Sequence, residues 1–204
     1  MTLSDAQKDL LVQLGTDYEK GLTMDAASKR RQDDETFNTV DPPIKCPGWV
    51  CCLLPCIKSI PSMKAYGRLQ PEDAEVKRDG RWTSYDAASV VRGDILRLEE
   101  GDVVPADCVV LTVMNNMDLL VDVKGITGED KPRVVTPEDG LAKLYYGGHV
   151  LQGSAIAVVT AIGPQTLLAT LIREGRFPPK DNVIEGRDEN HVEQGISLIT
   201  RNVS

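Results

Sequence analysis

The densest group of reactive side chains is Cys46, Cys51, Cys52 and Cys56, spaced C-x4-C-C-x3-C. Three chemistries suit it. Reduced thiols in a flexible arm are the first. A structural zinc site is the second, although adjacent cysteines and internal prolines fit tetrahedral ligation poorly, since zinc loops favour C-x2-C pairs. The third, favoured by the neighbours, is S-acylation (palmitoylation). Trp49, Val50, Leu53, Leu54 and Ile57 supply apolar flanks, and Lys45, Lys58, Lys64 and Arg68 supply positive charge with no acid between them. An acyl chain contributes about 0.8 kcal/mol per buried CH2, and stable attachment takes two signals. Each basic side chain adds about 1 kcal/mol at an anionic leaflet. The remaining thiol, Cys108, lies in a Val-rich run and reads as core. His149 and His191 are far apart, so neither a nucleophilic triad nor a metal cluster can be argued, and His149 reads as a satisfied strand residue. Glu99 and Glu100 precede a turn and read as a solvated face. None of the glycine groups forms a phosphate-binding loop.

These residues sit in a chain of 204 residues, enough for one ordinary domain with flanking segments. Hydrophobic content of 41% and charged content of 26% are those of a globular protein. Aromatics make up only 4%, so the core must rest on Val, Leu, Ile and Ala. A net charge of -8 argues against a nucleic-acid partner, which needs a basic face. The first residues, MTLSDAQKDLLVQLG, are polar and unlike a secretory signal. The apolar runs fall short of the roughly 20 residues needed to span a bilayer. The expected location is therefore the cytosol or the cytoplasmic side of a membrane, held peripherally. An odd number of cysteines without an export signal makes a disulfide framework unexpected.

The pattern divides the chain at 1–41, 42–71, 72–176 and 177–204. In the first zone Ser4 and Gln7 form a capping box before the apolar face of Leu10, Leu11 and Leu14, and Thr23 caps a second helix from Met24 to Arg31. Helices this short need a partner surface. The second zone carries Pro42, Pro43, Pro47, Pro55, Pro61 and Pro71 and is expected to be an irregular arm. The third is strand-rich. Asp79-Gly80 is a hairpin signal within Val76–Trp82. Further strands are expected at 89–91, 95–98, 108–113, 119–123, 149–151 and 155–161, and a helix opens at Gly163-Pro164 with Leu167, Leu168, Leu171 and Ile172 on one face. Short strands between glycine turns predict a mainly β, distorted jelly-roll-like domain with short N-terminal helices and a C-terminal helix. The last zone is polar and expected to be a flexible tail.

Within the third zone, RDGRW at 78–82, GDILRLEEGDVVPAD at 93–107 and DVKGITGED at 122–130 occur in that order, followed by Gly147, Gly153, Val158-Val159 and Gly163-x-x-Thr166. Together they resemble the actuator domain of P-type (E1-E2) cation-transporting ATPases, closest in pattern to proton- and calcium-type pumps. The 93–107 segment is the most specific. GLTMDAASKRRQDDETFNTV at 21–40 is similar, more weakly, to the cytosolic stretch that leads such pumps into their first membrane helices.

The resemblance implies that Thr127, Gly128 and Glu129 are the TGE loop. In the family this loop swings to a phosphorylated aspartate of another domain, and its glutamate positions the hydrolytic water. A carboxylate at hydrogen-bond distance from water can orient it and take its proton. Three positions depart from the family pattern. Asp130 stands where Ser is usual and adds repulsion toward a phosphoryl group. Lys124 replaces the Ser two residues after Asp122, and Ala169 replaces a Gly of the closing helix. The DKTGT phosphorylation motif is absent, so the chain is not expected to be an ATPase by itself, and no cofactor is implied. The expectation is a stand-alone, non-catalytic module that is held at a membrane surface by the cysteine arm and binds or regulates a full-length P-type cation pump. Two alternatives stand beside it: a hydrolytic accessory that supplies Glu129 in trans, and a truncated pump relic.

Overall fold

The structure, a computed structural model, describes residues 3–33, 36–45, 59–115, 117–139 and 141–180. In chain order these hold α1 (Asp5–Leu14), α2 (Met24–Asp33), α3 (Pro61–Arg68), β1 (Asp73–Arg78), β2 (Arg81–Asp86), β3 (Ile95–Leu98), β4 (Asp107–Val113), β5 (Leu119–Asp122), α4 (Lys124–Thr127), β6 (Arg133–Val135), β7 (Lys143–Leu144), β8 (His149–Gln152), β9 (Ala155–Ala161) and α5 (Leu167–Arg173). One sheet runs β2-β1-β3-β9-β4-β7 and a second runs β6-β5-β8. The named pairings are antiparallel. The fold is mainly β with short helices, as the pattern predicted, and its sheets stay open and do not close into a barrel.

The alternation of side chains explains the layers. Leu96 and Leu98 of β3, Val110 of β4 and Ala157 and Val159 of β9 face Leu119, Val121, Val135 and Val150 of the smaller sheet. The other face of the larger sheet presents Ile95, Val109, Leu111 and Val158, and Leu11 and Leu14 of α1 cover it. β4 is therefore buried on both sides, which accounts for its apolar run from Cys108 to Leu111. Cys108 is core, and burial pushes its thiol pKa up.

The partner surface that the short N-terminal helices require is this sheet. Ser4 and Gln7 form the capping box, and the Gln7 amide then donates to the Leu111 carbonyl at 2.7 Å. Thr23 accepts from Ala26 N at 3.1 Å, and α2 runs on to Asp33. Arg30 of α2 donates to the carbonyls of Leu14 and Arg92, both at 2.6 Å. Asn38 is buried, with its amide nitrogen on the carbonyls of Ala87 and Pro105 and its oxygen receiving Gly163 N at 3.0 Å. The segment before residue 41 is thus stitched to the β body.

The expected hairpin at Asp79-Gly80 forms, with both residues at positive φ (49° and 75°) and Arg78 opposite Arg81. Three local expectations are corrected. Residues 89–91 are not a strand. Asp86 caps a 3-10 turn over Ala87–Ser89, and the Asp94 carboxylate takes Val91 N, so those backbone groups are spent locally. Gly163–Gln165 is likewise a 3-10 turn, and the helix proper begins after Thr166, whose hydroxyl accepts from Ala169 N. The proline-rich zone ends in a helix, α3, because Pro61 sits at its first turn, where a missing N–H costs nothing. Strands β6 and β7 escaped the pattern because they are only a few residues long.

Arg78, of the RDGRW segment, and Asp94, of the GDI segment, form a buried fork-to-carboxylate pair with N–O distances of 2.9 and 2.5 Å. Their side chains are 3% and 0% exposed, so losing one partner strands a charge in the core. Asp94→Ala is expected to lower unfolding stability by about 3–5 kcal/mol, whereas the double variant Arg78→Met/Asp94→Leu recovers most of it; urea denaturation of the three proteins checks both outcomes.

Candidate functional site

Glu129 owes its position to the end of β5. Asp122, the last residue of that strand, accepts Lys124 N at 2.8 Å and so starts α4. The Thr127 hydroxyl donates back to the Val123 carbonyl, and Gly128 leaves the helix in the left-handed conformation at φ 80°. A non-glycine residue there is strained, and a Cβ would also approach Pro179 to 3.0 Å. The chain therefore turns sharply and delivers Glu129 at the surface.

Beneath the turn lies a separate apolar cluster of Val40, Leu69, Ile126, Tyr146, Leu168 and Phe177. Leu69, which follows α3, fits against two glycines. A Cβ on Gly125 would come within 2.9 Å of its side chain, and one on Gly147 within 2.8 Å. Asp107, the last residue of the VPAD segment, holds the cluster's far side by accepting Tyr146 N at 2.9 Å and Leu167 N at 2.7 Å. Burial raises its pKa, and the two backbone donors offset only part of that rise. Asp102 is structural too, accepting Glu99 N at 2.8 Å.

Glu129 does not stand free. Its carboxylate receives both arms of the Arg133 guanidinium, Nε to Oε2 at 2.9 Å and Nη2 to Oε1 at 2.5 Å. Arg133 in turn lies over the Tyr145 ring, 4.9 Å from its centroid. The Arg133 hydrogen bond holds the Glu129 carboxyl below the usual glutamate range. A folded-state value below the unfolded one means that this pairing stabilises the fold above the carboxylate range and is lost as pH falls through it. The side chains are 40% and 29% exposed, so the contribution is small. An arginine four residues on, at the start of β6, thus takes the Glu129 carboxylate.

Two departures from the family pattern meet each other. Lys124 Nζ lies 3.8 Å from the Asp130 carboxylate, so the extra acid beside Glu129 has a base facing it. Ala169 packs at the edge of the apolar cluster. His149 pairs with the Arg68 carbonyl at 3.1 Å, in keeping with a satisfied strand residue. Cys46, Cys51, Cys52 and Cys56 lie outside the described residues, as does His191. Among the described residues no group of three His, Cys, Asp or Glu is placed to hold a metal ion, and no helix is long and apolar enough to cross a membrane.

The sequence alone missed Arg133 and Tyr145. Glu129 and Arg133 have helical i,i+4 spacing, but Pro132 forbids a helix there, so the spacing carried no signal. They meet because β6 pairs with β5, placing Arg133 opposite Val121.

The model of the P-type ATPase actuator domain family matches residues 68–175, just over half of the chain. This chain belongs to that family. The actuator domain resembles the sodium/potassium-transporting ATPase alpha subunit of Tetronarce californica, with 29% identity over 121 residues, which is 56% of this chain and 12% of that protein. It also resembles the crystal structure of a zinc-transporting PIB-type ATPase in its E2.Pi state, with 20% identity and a TM-score of 0.46, over 67% of this chain and 21% of that one. The chain therefore spans a small part of the relatives it matches.

Gly128→Ala forces a side chain into the left-handed region against Pro179. It is expected to cost about 1–2 kcal/mol, and thermal unfolding beside the wild type measures it.

Proposed function

We propose that this chain works as an actuator-type module that binds a full-length P-type cation pump and regulates it, without catalysis of its own. The observation that carries this reading is the occupied carboxylate. Glu129 follows the left-handed Gly128 at the end of α4, and both its oxygens accept from Arg133. A glutamate so paired is a weaker base and is oriented toward Arg133 in place of a water, which suits it to a contact surface. Thr127, Gly128 and Glu129 would then form the face that a pump meets, mimicking or obstructing the pump's own actuator. The chain's own motif pattern is closest to proton- and calcium-type pumps, and the reading includes the chain acting as a separate unit.

The cysteine arm completes the proposal. Acylation at two or more of Cys46, Cys51, Cys52 and Cys56 would hold the module on the cytoplasmic side of a membrane. Lys64 and Arg68, both exposed on α3, add positive charge next to the arm. Intact-mass measurement of the native protein before and after hydroxylamine tests this. Loss of mass in acyl-sized steps is expected, and an unchanged mass removes the anchor.

A second reading has one observation in its favour: Glu129 is 40% exposed and its pairing is weak, so it is within reach of a partner. In that reading the module supplies Glu129 in trans to a phosphoenzyme. Dephosphorylation of a reconstituted pump separates the two. If regulation is by contact, Glu129→Gln alters pump binding and leaves the hydrolysis rate of the phosphoenzyme set by the pump alone. If Glu129 acts in trans, adding the wild-type module speeds hydrolysis and the Gln variant does not. Co-purification that recovers no P-type pump sinks both.

A further inference from the structure

The Glu129–Arg133 pair is fixed from the arginine side. The backbone of Arg133 is set by its register opposite Val121, and its guanidinium rests on the Tyr145 ring. The next residue, Tyr146, is anchored through its N–H to Asp107. The glutamate is the more exposed member, at 40% against 29%. The cation is therefore the fixed member and the carboxylate the movable one.

An arginine fork binds carboxylates and tetrahedral oxyanions in the same two-pronged geometry. At neutral pH inorganic phosphate carries more negative charge than a carboxylate, and a guanidinium that is 29% exposed is reachable from solvent. A pair this accessible is weak enough to exchange. The second acid of the loop does not compete for the same cation, since Asp130 faces Lys124.

We propose that Arg133 is a latch on Glu129: a positioning residue that keeps the loop carboxylate paired until an oxyanion of the phosphate class takes the guanidinium and releases it. The latch rests on this chain's own geometry and does not require a pump partner. It therefore stands or falls separately from the function proposed above. A working latch alongside an unaffected pump would overturn only that function.

The test is NMR on the full chain, following the Glu129 carboxyl carbon and the Arg133 side-chain nitrogen. In the wild type Glu129 is expected to titrate below the ordinary value of 4.5, and Arg133→Gln should return it to that range. Arg133→Lys keeps the charge but loses the fork, and should fall between the two. At neutral pH, inorganic phosphate added at constant ionic strength should move the Arg133 and Glu129 resonances together and saturably. Glu129→Gln removes the internal competitor and should lower the dissociation constant for phosphate severalfold, while Arg133→Gln abolishes the binding. A merely structural arginine would also shift the Glu129 titration when replaced, but would leave both resonances indifferent to phosphate. Ordinary titration of Glu129 in the wild type overturns the proposal. So does a phosphate titration that moves neither resonance, or equal phosphate affinity in the wild type and the Glu129→Gln variant.

Discussion

Asp107 places a carboxylate where three parts of the chain must meet, and the geometry around Glu129 depends on it. It opens β4, accepts the N–H of Tyr146 from the loop before β8, and accepts the N–H of Leu167 at the start of α5. These two bonds hold Tyr146 and Leu168 over Ile126 in the cluster beneath the turn. A buried carboxylate is tolerated only when donors surround it, because desolvation favours the neutral form. The site's foundation is thus a polar contact inside an apolar cluster, which gives it a defined geometry that packing alone would leave looser.

The acidic residues of the 93–107 segment divide the work. Asp94 closes the turn before β3 by pairing with Arg78, Asp102 closes the turn after it, and Asp107 gathers the elements behind Glu129. Asp94 and Asp107 are buried, and the exposed Asp102 is engaged by the Glu99 N–H. The 93–107 segment therefore serves as scaffold, and the turn at Thr127, Gly128 and Glu129 is the part that this scaffold presents.

The N-terminal zone belongs to the same body. Gly21 lies where a Cβ would come within 1.9 Å of the Lys77 carbonyl, and Gly93 lies where one would meet the Arg30 guanidinium at 2.1 Å. Close approaches of this kind admit only hydrogen at those positions. With Asn38 bonded to three separated stretches of backbone, the helices before residue 41 act as a brace on the outer face of the larger sheet. The described end of the proline-rich zone joins the fold through α3 and Leu69, which packs against Gly125, just before the turn at Glu129, and against Gly147.

Period-two burial, the Asp-Gly hairpin, the capping box and the ordered actuator motifs were all legible in the sequence, because each depends on neighbours close along the chain. The Val-rich run of β4 was legible as well, and its burial on both faces came from the packing of α1 on the larger sheet. Those features determined the β-rich body and the place of the TGE turn. What Glu129 touches was decided by tertiary structure alone. Its partner sits beyond a proline that rules out helical spacing, is brought within reach by the pairing of β6 with β5, and rests on a tyrosine supplied from elsewhere in the chain. The meeting of Lys124 with Asp130 has the same origin. Contacts set by strand register and turn geometry leave no periodic trace in the order of residues, so the body could be read from the sequence and the state of its glutamate could not.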